Sequence, residues 1–151
     1  MKIKIFLFFL LSLVMSLSCK KNSSLGPSPV PYQYVYTQID ISTPLYSSLQ
    51  NEGGYVYLTG GNKGLLVVQD FLGNYWCFDR TCPYHVTSDC GVVRMSLSGL
   101  NIVCGSYSGK TLDACCASTY GLDGTVTHGP STYPLKAYRV TVSGTVLTIS
   151  N

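Results

Sequence analysis

The chain holds 151 residues, 46% hydrophobic and only 11% charged, with 15 Gly, 12 Tyr, 7 Cys and a formal net charge of +3. That length suits one modest domain and leaves little room for two, and the apolar content excludes a disordered chain. Many Tyr and β-branched residues, with few Ala, Leu, Glu or Lys at helical spacing, exclude a helix bundle or coiled coil, so an all-β domain is expected.

Residues 1–18 read as an export signal: Lys2 and Lys4 precede an apolar run from Ile5 to Val14, and small residues lead to Cys19. The run is short for a membrane span. Ser16-Leu17-Ser18-Cys19 resembles a bacterial lipobox, with Ser16 where Leu is usual, and makes Cys19 the lipidation site. Residues 19–31 then form a lipidated N-terminus and a flexible Pro/Ser-rich tether, and 32–151 the domain. The expected location is the cell envelope, lipid-anchored to a bacterial membrane and facing the periplasm or the exterior. Lys20-Lys21, with no acidic neighbours, leans towards the periplasm.

Removing residues 1–18 leaves 133 residues with a formal charge of +1. Arg80, Arg94 and Arg139 are spread thinly, so no nucleic-acid partner is expected. The expected partners are the membrane, through the anchor, and an envelope protein. Six cysteines remain, an even number outside the reducing cytosol, and disulfides are their default state.

Short strands broken by Gly, Asn, Asp and Pro are predicted at Tyr34–Ile41, Tyr55–Leu58, Leu65–Asp70 and Tyr75–Asp79. Others follow at Val92–Met95, Leu100–Cys104, Thr125–Thr127, Leu135–Val142 and Thr145–Ile149, with Ser143-Gly144 as a hairpin turn. Pro44–Gln50 has room for one short helical turn. Such spacing predicts a small sandwich or barrel.

Two stretches carry chemistry. The first is Phe78-Asp79-Arg80-Thr81-Cys82-Pro83-Tyr84-His85; the second runs from Cys116-Ala117-Ser118-Thr119-Tyr120 through Asp123-Gly124 to His128-Gly129-Pro130, continued by Pro134-Leu135-Lys136-Ala137-Tyr138. In this order they resemble the cluster-binding region of Rieske [2Fe–2S] domains, and the resemblance runs from about Tyr34 to the C-terminus. It is closest to Rieske-like lipoproteins of Bacteroidota, where Gly53–Gly61 (GGYVYLTGG) and the D-R-T-C-P-Y segment are also familiar. It implies a small Rieske-like β-sandwich or barrel with a C-x-H box and a C-x-x-H-G-S-x-F/Y box on two loops.

A Rieske cluster needs two thiolates on one iron and two imidazoles on the other. By the resemblance Cys82 keeps the first thiolate position, but Tyr84 stands at the first imidazole and His85 comes one residue late. Asp113 stands at the second thiolate and Cys116 at the second imidazole. Taking Cys104-Gly105-Ser106-Tyr107 as the second box again puts Tyr where His is needed. The expectation is therefore no cofactor, with a [2Fe–2S] cluster on a nonstandard set including Cys82, His85 and Cys116 as the alternative. The resemblance instead implies disulfides. Cys115 matches a loop-clamping cysteine whose partner is Cys90, Cys82 and Cys116 would close a second bridge across the cluster position, and Cys77 and Cys104 would be left as a third pair.

Other chemistries have less in their favour. Zinc on Cys82-x-x-His85 lacks a second spaced pair, no C-x-x-C occurs, and the seven acidic residues are scattered singly. No catalytic residue is assigned. Asp79 and Arg80 are expected to hold loops near the first box, and Tyr84 and Tyr107 to fill the volume of the missing cluster and its histidines. The resulting expectation is an exported lipoprotein with a disulfide-stabilised, cluster-free Rieske-like domain acting as a binding or structural module; the alternative is an electron carrier.

Overall fold

The computed structural model describes residues 27–151. The signal segment, Cys19 and the first part of the tether lie outside the described residues.

The fold is all-β, as expected. Its ten strands are β1 (Tyr36–Asp40), β2 (Tyr55–Leu58), β3 (Leu65–Gln69), β4 (Tyr75–Asp79), β5 (Val93–Met95), β6 (Ile102–Ser108), β7 (Thr111–Tyr120), β8 (Val126–His128), β9 (Ala137–Ser143) and β10 (Val146–Ser150). A six-stranded antiparallel sheet has the order β1-β10-β9-β4-β3-β2, and a four-stranded sheet the order β5-β6-β7-β8. A short 3-10 turn, Ser47–Gln50, falls within the predicted Pro44–Gln50 segment and buries Leu49. The β9–β10 hairpin pairs Ser143 with Val146, so its two-residue turn is Gly144-Thr145, one position later than expected, with Gly144 at φ +60°.

One strand was not foreseen. β7 runs for ten residues through the second cysteine box, which the resemblance placed on a loop. Its N-terminal half is mostly exposed or half-buried, so it lacks the apolar pattern that marks a strand in sequence. It pairs along both ends of β6, with an irregularity between Val103 and Gly105.

β3 is buried on both faces. Leu65 and Val67 point to one core with Ile39, Leu49, Cys77, Tyr138, Leu147 and Ile149, inside the six-stranded sheet. Leu66 and Val68 point to a second core with Phe78, Val93, Met95, Ile102 and Tyr120, between that sheet and the four-stranded one. Strand side chains alternate faces, so each parity of β3 and β4 serves one core.

The chain already packs ahead of Tyr32: Val30 is buried, and the Pro31 carbonyl accepts from Lys136 Nζ at 2.6 Å. Tyr32, Tyr34 and Tyr36 are exposed, in keeping with surface Tyr.

At the β3–β4 turn, Asp70 accepts from Trp76 Nε1 at 2.9 Å, from Asn74 Nδ2 at 3.0 Å and from the backbone N–H groups of Leu72 and Asn74. Desolvation raises its pKa, but these donors outweigh that and hold it at about 2, against an ordinary 3.8. A depressed carboxylate stabilises the fold above the unfolded pKa and loses that contribution as pH falls through the folded value. Stability of the protein is therefore expected to drop between about pH 4 and pH 2, and the Asp70→Asn variant to show a shallower drop in urea titrations across that window.

Candidate functional site

The site lies in the core between the sheets. Cys82 follows β4 on a tight loop, Cys104 sits on β6 and Cys116 on β7. Their three sulfurs lie within 4.8 Å of one another. Cys82 Sγ is 3.7 Å from Cys116 Sγ and 3.6 Å from the Tyr120 hydroxyl. Cys82, Cys104 and Tyr120 are fully buried, whereas Cys116 is half-buried and forms the open side.

The β6–β7 irregularity creates this arrangement. Val103 pairs with Thr119 and Gly105 with Ala114, so Cys104 alone opposes the four residues Cys115–Ser118. The extra length on β7 arches over β6 and brings Cys116 to Cys104. Gly105 makes the close approach possible: at φ +139° a Cβ there would lie 2.9 Å from Ala114 Cα and Cys115 N.

The first box is fixed from below by Asp79, which is fully buried. Its carboxylate accepts from the Thr81 N–H at 2.9 Å, the Thr81 hydroxyl at 2.6 Å, the Asn62 N–H at 2.6 Å and the Tyr138 hydroxyl at 3.1 Å. Lys63 Nζ donates to the carbonyls of Ser88 and Gly91, closing the 82–91 loop. Arg80 Nε donates to the Val93 carbonyl at 3.1 Å, and its guanidinium lies 4.2 Å from the Tyr57 ring centroid. Asp79 and Arg80 thus hold the loops as expected. On the far side Ser118 Oγ, also buried, accepts from Ser131 N–H at 2.9 Å.

Electrostatically the three sulfurs are unequal. The Cys104 thiol as hydrogen-bond partner, helped by the Tyr120 hydroxyl and the backbone N–H groups of Tyr84 and His85, lowers Cys82 to about 5 despite desolvation. Cys104, the partner that keeps its proton, is pushed up, and Tyr120 is raised first by burial and then by Cys82. Of the three thiols, Cys82 is thus the one whose ionisation these contacts favour.

The remaining site residues separate cleanly. Cys90 and Cys115 form the expected disulfide, with S–S 1.99 Å and Cα–Cα 5.3 Å. Cys82 and Cys116 face each other as expected but are free thiols rather than a bridge. Cys77 and Cys104 are not paired: Cys77 points into the core inside the six-stranded sheet and Cys104 into the core between the sheets. The parity of β4 separates them, since Cys77 faces opposite to Phe78. Burial, then the charge of Asp79, raises the Cys77 thiol to about 12.

His85 packs its ring against Tyr84 at 4.7 Å and is not among the converging donors, and His128 is exposed. Tyr84 is 51% exposed and Tyr107 donates no volume to the site, its hydroxyl instead accepting from Leu97 N–H. The tyrosine beside the thiols is Tyr120, which the sequence reading used only to align the second box. Cys104, the thiolate of the alternative second box, joins the group instead of pairing with Cys77. Side-chain parity was the available signal, because Cys77 shares a face with Tyr75 and Asp79 rather than with Trp76 and Phe78.

No protein-family model matches the chain, and no curated protein does. Solved structures do. The cyanobacterial plasma membrane Rieske protein PetC3 from Synechocystis PCC 6803 superposes with a TM-score of 0.54 at 18% identity, covering 76% of this chain and 99% of that one. The ferredoxin of carbazole 1,9a-dioxygenase from Nocardioides aromaticivorans IC177 gives a TM-score of 0.48 at 17% identity, covering 79% and 98%. The first of these likenesses shows that the chain has a Rieske-like β fold.

Two outcomes follow from this geometry. Asp79→Ala leaves five donors, the Lys63 N–H among them, without their acceptor and is expected to cost about 3 kcal/mol of stability in urea unfolding. Under native alkylation with iodoacetamide, Cys116 is expected to label first and Cys77 last; labelling of Cys77 at the rate of Cys116 would contradict the assignment of cores.

Proposed function

We propose that this protein is a lipid-anchored module of the bacterial cell envelope, a Rieske-like domain that works without a Rieske cluster as a binding or structural element. The observation that carries this reading is the donor set: at the cluster position three sulfurs converge with a tyrosine hydroxyl, and no imidazole joins them. A Rieske centre divides its donors between two irons, two thiolates on one and two imidazoles on the other. Three sulfurs gathered about one point, with His85 turned to Tyr84 and His128 in solvent, do not fit that pattern. The Cys90–Cys115 bridge ties the two boxes together, contributing about 2–4 kcal/mol where a cluster would otherwise clamp them.

The anchor rests on the sequence: a short apolar signal, Cys19 after Ser16-Leu17-Ser18, and a Pro/Ser tether. Among the described residues no helix is long and apolar enough to cross a membrane. The similar protein from Synechocystis is described as a plasma membrane protein, which accords with a membrane setting.

Protein purified from membranes under anaerobic conditions is expected to contain no stoichiometric iron or acid-labile sulfide and to lack visible charge-transfer absorption. Two equivalents of iron with such absorption would establish the electron-carrier alternative. Cys19→Ser is expected to move the protein from the membrane to the soluble fraction.

A further inference from the structure

We infer that Cys82, Cys104 and Cys116 form a mononuclear three-sulfur site for a soft, thiophilic cation, taking Cu(I) in preference to Zn(II). The inference rests on the cluster-free reading, since a cluster would occupy the same sulfurs.

Three features point to it. The first is spacing. A sulfur–metal bond of about 2.3 Å, the length found for zinc, sets trigonal sulfurs about 4.0 Å apart and tetrahedral ones about 3.8 Å. The observed 3.7 Å pair and the 4.8 Å limit for all three sulfurs bracket those values, so an ion can be bound with small rotations of side chains. An S–S bond is about 2.05 Å long, so a bridge would need a much larger displacement.

The second feature is donor number. Among the described residues no His, Asp or Glu joins the group. Structural zinc takes four protein ligands, and three thiolates without a fourth suit Cu(I), which soft sulfur donors select. The third is the wall. Val93, Met95, Ile102, Leu122 and Leu135 share the buried cluster with Cys82 and Cys104. Apart from the Tyr120 hydroxyl 3.6 Å from Cys82 Sγ, the buried side of the site is apolar, which disfavours the water that would complete a zinc tetrahedron, while half-buried Cys116 provides the entry. On binding, each S–H bond is replaced by an S–metal bond and its proton leaves to solvent.

The test uses the purified mature protein in detergent, kept anaerobic, with iron and acid-labile sulfide measured on the same sample. Cu(I) is titrated against a chromophoric Cu(I) chelator, and Zn(II) against a zinc indicator. One equivalent of Cu(I) is expected to bind, with affinity falling at least about tenfold in Cys116→Ser and in Cys104→Ala and unchanged in Cys77→Ala. Near-UV circular dichroism checks that each variant is folded. No Cu(I) uptake, uptake indifferent to both Cys116→Ser and Cys104→Ala, or a Cys82–Cys116 disulfide in protein never exposed to oxidant would overturn the site. Zn(II) binding as tight as Cu(I) would overturn the preference. Iron and sulfide in the isolated sample would overturn the cluster-free reading itself, whereas an iron-free protein that ignores Cu(I) would sink only this inference.

Discussion

Burial of β3 and β4 on both faces divides the molecule into two cores, and that division decides the state of its buried thiols. A strand buried on both sides must place successive side chains in different environments. On β4 the result is that Trp76 and Phe78 look towards the four-stranded sheet, while Cys77 looks into the six-stranded one. Cys77 is thereby removed from the other cysteines, although it lies only five positions before Cys82 in the chain. With Cys77 in the other core, Cys104 lacks the partner that the resemblance implied and stands beside Cys82 and Cys116.

The second cysteine box adds a local constraint to this general one. β6 and β7 pair at both ends but are mismatched between, and within the surplus on β7 Cys115 bonds to Cys90 while Cys116 joins Cys104 and Cys82. Adjacent residues on one strand thus serve two purposes: one locks the loops together, the other closes a buried group of sulfurs. Asp79, Lys63 and Ser118 fix the surrounding backbone through hydrogen bonds, so the scaffold itself positions the thiols. Polar satisfaction of this kind matters in a core, because an orphaned buried donor costs about 1–3 kcal/mol.

Much of the scaffold was legible in the sequence because period-two alternation and glycine turns are local signals. β2 and β4 fall where the residues put them, and most other strand ends differ by one or two positions. β7 was not legible: its first half faces solvent, and its membership in the sheet depends on pairing with β6, which is a non-local fact. The same limit applies to the site. Cys82, Cys116 and the Cys90–Cys115 bridge follow from the resemblance to Rieske boxes, and Cys104 from its alternative second box, but that Cys104 joins Cys82 and Cys116 together, beside Tyr120, depends on the β6–β7 mismatch. The expectation that Tyr84 fills the site failed for a related reason, since a one-residue difference on a tight loop sends the side chain to solvent.

The central claim is that three cysteine sulfurs, and no imidazole, converge between the two sheets. Long-wavelength anomalous diffraction from crystals of the reduced protein locates sulfur atoms directly. The account predicts the Cys82, Cys104 and Cys116 sulfurs within 4.8 Å of one another, with Cys77 in the opposite core and the His85 ring against Tyr84. A Cys77 sulfur beside Cys104, or the His85 imidazole turned in among the sulfurs, would contradict it.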